Sequence, residues 1–346
     1  MSKTALITGI AGQDGAYLAA LLIDKGYRVV GATRRSSSPN LWRLADTGVL
    51  SRVELTALEL TEEANIRTVL REHRPDEIYN LAAQSFVTDS FKDPVHTSNV
   101  DGLGALRLLE GIRAEVPEAK FYQASTSEMF GKASQAPQTE GTPFHPRSPY
   151  GYAKVFAHWA TVNYRETHGM FCVSGILFNH ESPYRGAEYL TRKVTLGLAQ
   201  YVVSGRKPLL LGNLDAQRDW GFAGDYVRGM WKMLQHHTPD DFVLATGRTH
   251  TVRDFVDMAA SAAGLSLRWE GDGKDARGLD SRTGETVVAV DTAFYRPTEV
   301  ERLVGDASKA KAELGWTPDV SLERLVQLMV EADIARVRHD NVAALA

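Results

Sequence analysis

The stretch "TALITGIAGQDGAYLAALLIDKG", residues 4–26, constrains the fold more than any other part of the chain. A short apolar run ends at Gly9, and Gly12 and Gly15 follow at three-residue spacing, with Gln13 and Asp14 between them. Ala16, Leu18, Ala19, Leu21 and Leu22 then make an apolar helical stripe that Gly26 stops. "YRVVGATRR" reads as a buried strand after it. Strand, glycine turn, helix, strand is one parallel crossover unit. Glycines there admit a tight turn and bring the backbone close to a pyrophosphate, which the helix N-terminus faces. Glycine turns are common, so the trio means little alone; its place between a strand and a helix makes it specific.

The alternation continues. "RVELTALEL" (52–60) is strand-like, "EEANIRTVLREH" (62–73) helical, and "EIYNLAA" (77–83) a strand. A helix from about 99 to 115 leads into the strand "KFYQAS" (120–125), and a helix starting near 149 into "CVSGILF" (172–178). So many apolar strands separated by helices predict an α/β fold, a doubly wound (Rossmann) parallel sheet. Past residue 180 the pattern turns irregular, with a charged loop over 275–291 leading to a strand and an amphipathic helix around 321–337. The expectation is a nucleotide-binding domain over 1–180 and about 221–250. A smaller, discontinuous C-terminal cap would use about 181–220 and 251–346, and bind substrate.

Composition narrows the class. The 346 residues carry a net charge of -4, so no overall basic field favours nucleic acid or an anionic membrane. No apolar run approaches the ~20 residues of a membrane span, and the start, "MSKTALITG", enters a strand directly. Cys172 is alone in an apolar run, which reads as a buried thiol in a cytoplasmic protein. No metal site is expected.

The end of the second strand selects the nucleotide. An NAD site would place an acid there for the ribose 2'-hydroxyl; this chain places Arg34, Arg35, Ser36 and Ser37, which suit a 2'-phosphate. The expected cofactor is NADP. The bland alternative is a solvated basic edge. Glu59 and Leu60, then Leu81, Ala82, Ala83, Gln84 and Ser85, stand at the ends of the next two strands, where this fold binds its ligand.

"SPYGYAKVFAHW" (148–159) sets Tyr150 and Lys154 four apart, on one helical face. A free phenol titrates near 10 and is a poor base at neutral pH; a neighbouring ammonium favours the phenolate. This YxxxK pair beside an NADP-binding sheet marks the short-chain dehydrogenase/reductase superfamily. "STSE" (125–128) adds the hydroxyl of Thr126 and the carboxylate of Glu128. A carboxylate in a nicotinamide pocket is costly unless used. Beside an oxidised carbon it can remove the neighbouring proton and protonate a departing hydroxyl, which is dehydratase chemistry. Otherwise Glu128 is an acid at a helix start. His158 and Trp159 read as packing residues.

Nearly the whole chain resembles the GDP-mannose 4,6-dehydratase family, an extended branch of that superfamily. The resemblance rests on "GQDGAYL", "RRSSS", "EIYNLAAQS", "FYQASTSE", "PRSPYGYAK", "GILFNHESPYRG", "TRKV", "LGNLDAQRDWG", "DYV", "MWKMLQ" and "YRPTEV". It implies NADP, GDP-mannose as substrate, a 4-keto-6-deoxy product and a homodimer or homotetramer. It makes Thr126, Glu128, Tyr150 and Lys154 the catalytic set and adds His180 and Arg185 as cofactor contacts. Ser85, Asn179, Arg192, Lys193, Gly212 and Arg218 fall in motifs that meet the sugar nucleotide, with Arg296 and Glu299 as weaker candidates. Ala11, Glu59 and His96 depart from the family's threonine, aspartate and tyrosine, leaving the role of His96 open. Competing readings are the same dehydration of a GDP-manno-heptose, a GDP-sugar reductase or epimerase, and an NADP-binding sensor without turnover; Glu128 argues against the second, and the intact Thr126–Glu128–Tyr150–Lys154 set against the third.

Overall fold

The computed structural model describes residues 2–205, 207–295 and 303–343, and the alternation read along the chain becomes two compact units. Met1–Phe178, Ala223–Gly247 and Gly305–Pro318 form the first; Asn179–Phe222, Arg248–Val304 and Asp319–Ala346 form the second.

In the first unit β1 (Thr4–Thr8), β2 (Arg28–Thr33), β3 (Val53–Ala57), β4 (Glu77–Asn80), β5 (Lys120–Thr126), β6 (Cys172–Leu177) and β7 (Asp241–Leu244) make one parallel sheet. Their order is β3-β2-β1-β4-β5-β6-β7. The order reverses between β1 and β4, so the loops after their C-terminal ends frame the crevice where such sheets bind ligands. The near-continuous apolar strands follow from burial on both faces: Ala5, Leu6 and Ile7 of β1 are all inaccessible. Helices α1 (Gln13–Asp24), α2 (Glu63–His73), α3 (Gly104–Glu115), α4 (Pro149–His168), α5 (Ala223–Gln235) and α6 (Ser308–Leu314) belong to the same unit.

Two details differ from the sequence reading here. The helix expected from about 99 begins as a π turn, Ser98–Leu103, before α3. Residues 305–318, assigned in advance to the cap, pack with the first unit because Trp316 is buried there. Its indole N–H donates to the carbonyl of Asp225 (2.8 Å), and its ring meets Tyr226 edge-on.

The second unit holds a four-stranded sheet in the order Leu267–Glu270, Arg277–Asp280, Thr286–Val290, Leu209–Leu211. The charged loop expected over 275–291 is largely an antiparallel hairpin. Arg277, Arg282 and Glu285 are exposed while Val287 and Val288 are buried, so polarity hid the strands. Helices Leu190–Val203, Val252–Ala262 and Leu322–Ala343 contribute Leu198, Val256, Leu325 and Met329 to the core of this unit. Among the described residues no helix is long and apolar enough to cross a membrane.

Candidate active site

The loop from β1 to α1 has the shape a pyrophosphate needs. Gly9 has a φ of +69°, and a Cβ on it would come 2.9 Å from the backbone nitrogen of Ala82; one on Gly15 would come 2.5 Å from the carbonyl of Ile10. Only glycine fits either place, and Gly12 caps the N-terminus of α1. Gln13 is buried and donates to Asp14 (3.0 Å). The backbone cradle and the helix terminus therefore fit a dinucleotide diphosphate.

A buried polar ladder supports this loop from below. The hydroxyl of Thr8 donates to Asn80 (2.8 Å) and accepts the N–H groups of Leu81 and Ala82 (both 3.0 Å). Asn80 donates to Gln123 (2.8 Å), and Gln123 to the carbonyl of Ala124 (3.2 Å). That same carbonyl accepts the ammonium of Lys154 at 3.1 Å. Continuous satisfaction of buried polar groups ties the loops after β1 and β4 to the lysine. Thr8, Asn80 and Gln123 were not anticipated; polar residues inside otherwise apolar strands were the available signal.

At the end of β2, Arg34, Arg35, Ser36 and Ser37 are all exposed. The N–H of Arg35 donates to Glu59 (2.7 Å), and its guanidinium forks onto Glu62 (2.9 and 2.8 Å). Glu62 raises the affinity of that guanidinium for its proton. Leu60 is buried, Ser85 exposed, and Ala83 and Gln84 half-buried.

The four catalytic candidates lie in the first unit. β5 delivers Thr126 to its C-terminal end, and a 3-10 turn (Ser127–Met129) carries Glu128. Thr126 caps that turn, its hydroxyl accepting the N–H of Glu128 (3.2 Å). Ser148 caps α4 with Pro149 at its first position, which starts the helix at the residue before Tyr150. Gly151 brings the helix onto the turn: a Cβ there would come 2.9 Å from the Glu128 carbonyl. Tyr150, Thr126 and Glu128 are half-buried and Lys154 fully buried, its ammonium 5.7 Å from the centre of the Tyr150 ring. Burial pulls the lysine pKa down, and the nearby Asp101 carboxylate opposes that pull. Asp101, in the π turn, was not among the anticipated residues. His158 is buried against Phe144 and lies 3.4 Å from the Ser125 hydroxyl; Trp159 is exposed. The thiol of Cys172 is pushed up to about 12 by burial, an unreactive state.

The second unit carries most of the anticipated substrate contacts. Arg192 is buried and pairs with Asp333 through two nitrogens (both 2.8 Å), while a third donates to the carbonyls of Pro183 (2.8 Å) and Arg185 (3.0 Å). These bonds tie it to Asp333 and to the 183–185 loop. Arg185 pairs with Glu181 (3.0 Å) and stacks on Tyr189. Arg218 is buried on a two-residue strand, Gln217–Arg218, paired with His250–Thr251. The ammonium of Lys193 is 3.2 Å above the Phe294 ring, and burial lowers its pKa against the pull of Asp291. Gly212 abuts the Phe294 carbonyl; Asn179 and His180 sit half-buried on the strand Asn179–Glu181. Arg296 and Glu299 lie outside the described residues. His96 is exposed on the short helix Pro94–Thr97.

Comparison with known proteins adds to this geometry. The family model described as GDP-mannose 4,6 dehydratase matches residues 6–329. The GDP-mannose 4,6-dehydratase of Sinorhizobium fredii is 50% identical over 343 residues, covering 97% of this chain and 98% of that protein. The human GDP-mannose 4,6 dehydratase is 48% identical, covering 97% and 92%. Among solved structures, UDP-glucose 4-epimerase from Thermotoga maritima superposes with a TM-score of 0.81 at 24% identity, covering 97% of this chain and 99% of that one, a likeness of fold alone.

Proposed function

The chain belongs to the GDP-mannose 4,6-dehydratase family, and on that footing we propose how its residues perform the reaction. It is a lyase that converts GDP-mannose to GDP-4-keto-6-deoxymannose and water. The observation that carries this reading is Glu128 on a turn that abuts the start of α4, beside the Tyr150–Lys154 pair. An acid and a phenol serve two different protons.

The cofactor is NADP, which when bound would take the hydride from carbon 4 and return it to carbon 6. Gly9, Gly12, Gly15 and the N-terminus of α1 hold its diphosphate, and Arg34 and Arg35 with Ser36 and Ser37 its 2'-phosphate. Tyr150 takes the proton of the sugar's 4-hydroxyl, with Lys154 stabilising the phenolate. The Thr126 hydroxyl hydrogen-bonds the oxygen on carbon 4 as it becomes a carbonyl. That carbonyl acidifies the hydrogen on carbon 5; Glu128 accepts it and protonates the 6-hydroxyl, which leaves as water, and a proton returned to carbon 5 as carbon 6 regains the hydride completes the 6-deoxy sugar. In the second unit Arg218 and Lys193 supply cations for the GDP diphosphate, Arg218 with the planar fork that phosphate oxygens accept. Mass spectrometry of the product from GDP-mannose, using protein as purified, tests the reading. Loss of one water is the expected result; unchanged sugar, or a simple epimer, overturns it.

The chain works as a homo-oligomer. Tyr152, Phe156 and Trp159, spaced four and three apart on α4, are 46, 46 and 57% exposed, and Val95 on the short helix Pro94–Thr97 and Leu103 in the π turn are exposed as well. A helical apolar stripe left in water is what a second copy would cover. Phe156→Glu should shift the mass by light scattering toward the monomer; a wild-type monomer overturns the assembly. The lone buried thiol supports a cytoplasmic location.

A further inference from the structure

We propose that Asp101 is a positioning residue for the reaction, whose buried carboxylate keeps Lys154 charged and available to Tyr150. The inference rests on the Tyr150–Lys154 pair acting as proposed above. Asp101 sits in the π turn Ser98–Leu103 and is 3% exposed. The turn lies on the segment of α4 that carries the lysine: the Cβ site of Gly102 is 3.4 Å from the carbonyl of Ala153. One carboxylate oxygen accepts the N–H of Gln84 (2.7 Å), while the other is buried without a hydrogen-bond partner. A buried orphan oxygen is uncommon in folded proteins and asks for a reason.

Electrostatics supply one. The charged or polar groups that act on Asp101 are Lys154 from α4, His96 from the short helix Pro94–Thr97, and the backbone N–H of Gln84 after β4. Burial pushes the carboxyl up to about 6, against the pull of those three. The lysine is equally deep, and Asp101 is the anion that opposes its loss of charge. The lysine's hydrogen bond to the Ala124 carbonyl satisfies one of its three protons and offers no countercharge. Two buried, opposite charges that stop short of direct contact stabilise each other's charged form while leaving the ammonium free to orient toward the phenol. A residue kept merely to accept the Gln84 N–H would need no charge, since an amide oxygen does that as well.

Asp101→Asn keeps that acceptor and removes the charge. In cofactor-free protein, ultraviolet difference titration reads the Tyr150 phenolate, isolated by subtracting the same titration in a Tyr150→Phe background. Its midpoint should move up by about one pH unit or more in Asp101→Asn. The acid limb of kcat/KM against pH should move in the same direction, and Asp101→Glu should return both toward wild type. Should Asp101→Asn fail to fold, Asp101→Ser carries the same measurements. An unmoved midpoint in a folded neutral variant, or Asp101→Glu behaving as Asp101→Asn, overturns the inference. Lys154→Met separates the two claims. If it leaves the Tyr150 midpoint in place, the tyrosine–lysine reading fails; if it moves the midpoint and Asp101→Asn does not, only the role of Asp101 fails.

Discussion

The ammonium of Lys154 stands 5.7 Å from the centre of the Tyr150 ring, one helical turn away, and is anchored to the Ala124 carbonyl at 3.1 Å. The lysine is thus held by the strand beneath it rather than by solvent, so its charge is costly and its position fixed. Lys154→Met should lower product formation about 10²–10⁴-fold, the range for loss of acid–base assistance. Retention of activity within about threefold would remove the lysine from the mechanism.

The cofactor end of the sheet makes a second test. Arg35 spends its fork on Glu62, but both partners are about half exposed, so that pair holds the guanidinium weakly and yields to a dianionic phosphate. Arg35→Asp should weaken NADP binding by on the order of 10–100-fold, the equivalent of one charge-assisted bond, and change NAD binding little. Isothermal titration with both nucleotides decides it. Equal affinity of the unaltered protein for the two would contradict the NADP assignment.

Arg192 and Arg218 should separate by what they disturb. Arg192→Ala takes from the fully buried Asp333 its two-nitrogen partner and leaves only Arg336 (3.3 Å) and the Thr195 hydroxyl (2.7 Å), so it should cost somewhat less than the about 3–5 kcal/mol of a buried charge left unpaired. Thermal unfolding should report that loss, and Asp333→Asn in the same chain should recover part of it. Arg218→Ala should instead raise the apparent KM for GDP-mannose with a smaller change in kcat, as expected of a group that binds away from the reacting carbons. Calorimetry showing unaltered GDP-mannose binding in Arg218→Ala would make that residue structural.

Much of the first unit could be read from the chain because its strands are buried on both faces and its turns need glycine. Gly9 and Gly15 admit no other residue, and Tyr150 and Lys154 announce themselves by helical spacing. The pairing of Arg192 with Asp333 was not legible because the two lie 141 residues apart, and no local pattern shows such a partner. Asp101 was invisible for a related reason: an acid in a polar stretch looks solvated until the π turn buries it. The hairpin over 277–290 hid behind its charges, and the 305–318 segment lacks any apolar period strong enough to show which unit its tryptophan enters.

Glu110 gives an acid-stability test of the α3–α4 contact. Arg113 and then the Tyr164 hydroxyl hold its carboxyl down from the usual 4.5 to about 2. A folded-state pKa below the unfolded value means stability present above about pH 4.5 and lost as pH falls toward about 2. The side chain is a third exposed, so screening reduces the contribution to about 1 kcal/mol. Urea melts should show Glu110→Gln less stable than wild type at pH 7, with the difference gone by about pH 2. A difference independent of pH would mean lost packing rather than lost charge.

Glu128 and Tyr150 serve different protons, so their variants should stop at different points. Tyr150→Phe removes the base for the 4-hydroxyl; neither a ketone nor dehydrated sugar should form, and carbon 5 should keep its hydrogen in heavy water. Glu128→Gln preserves shape and hydrogen bonding while removing the acceptor for the carbon-5 proton. Oxidation at carbon 4 should survive, giving a 4-keto hexose that has lost no water. Quenching with borodeuteride places deuterium on carbon 4 wherever that ketone exists, which distinguishes the two variants even when the equilibrium favours the alcohol. Thr126, whose hydroxyl caps the turn bearing Glu128, must stay intact in both. Product formation by Glu128→Gln should fall about 10²–10⁴-fold, in line with loss of a positioned acid–base group. If this variant dehydrates GDP-mannose at the wild-type rate, or exchanges carbon 5 freely, then another group takes that proton and the elimination step assigned to Glu128 is wrong.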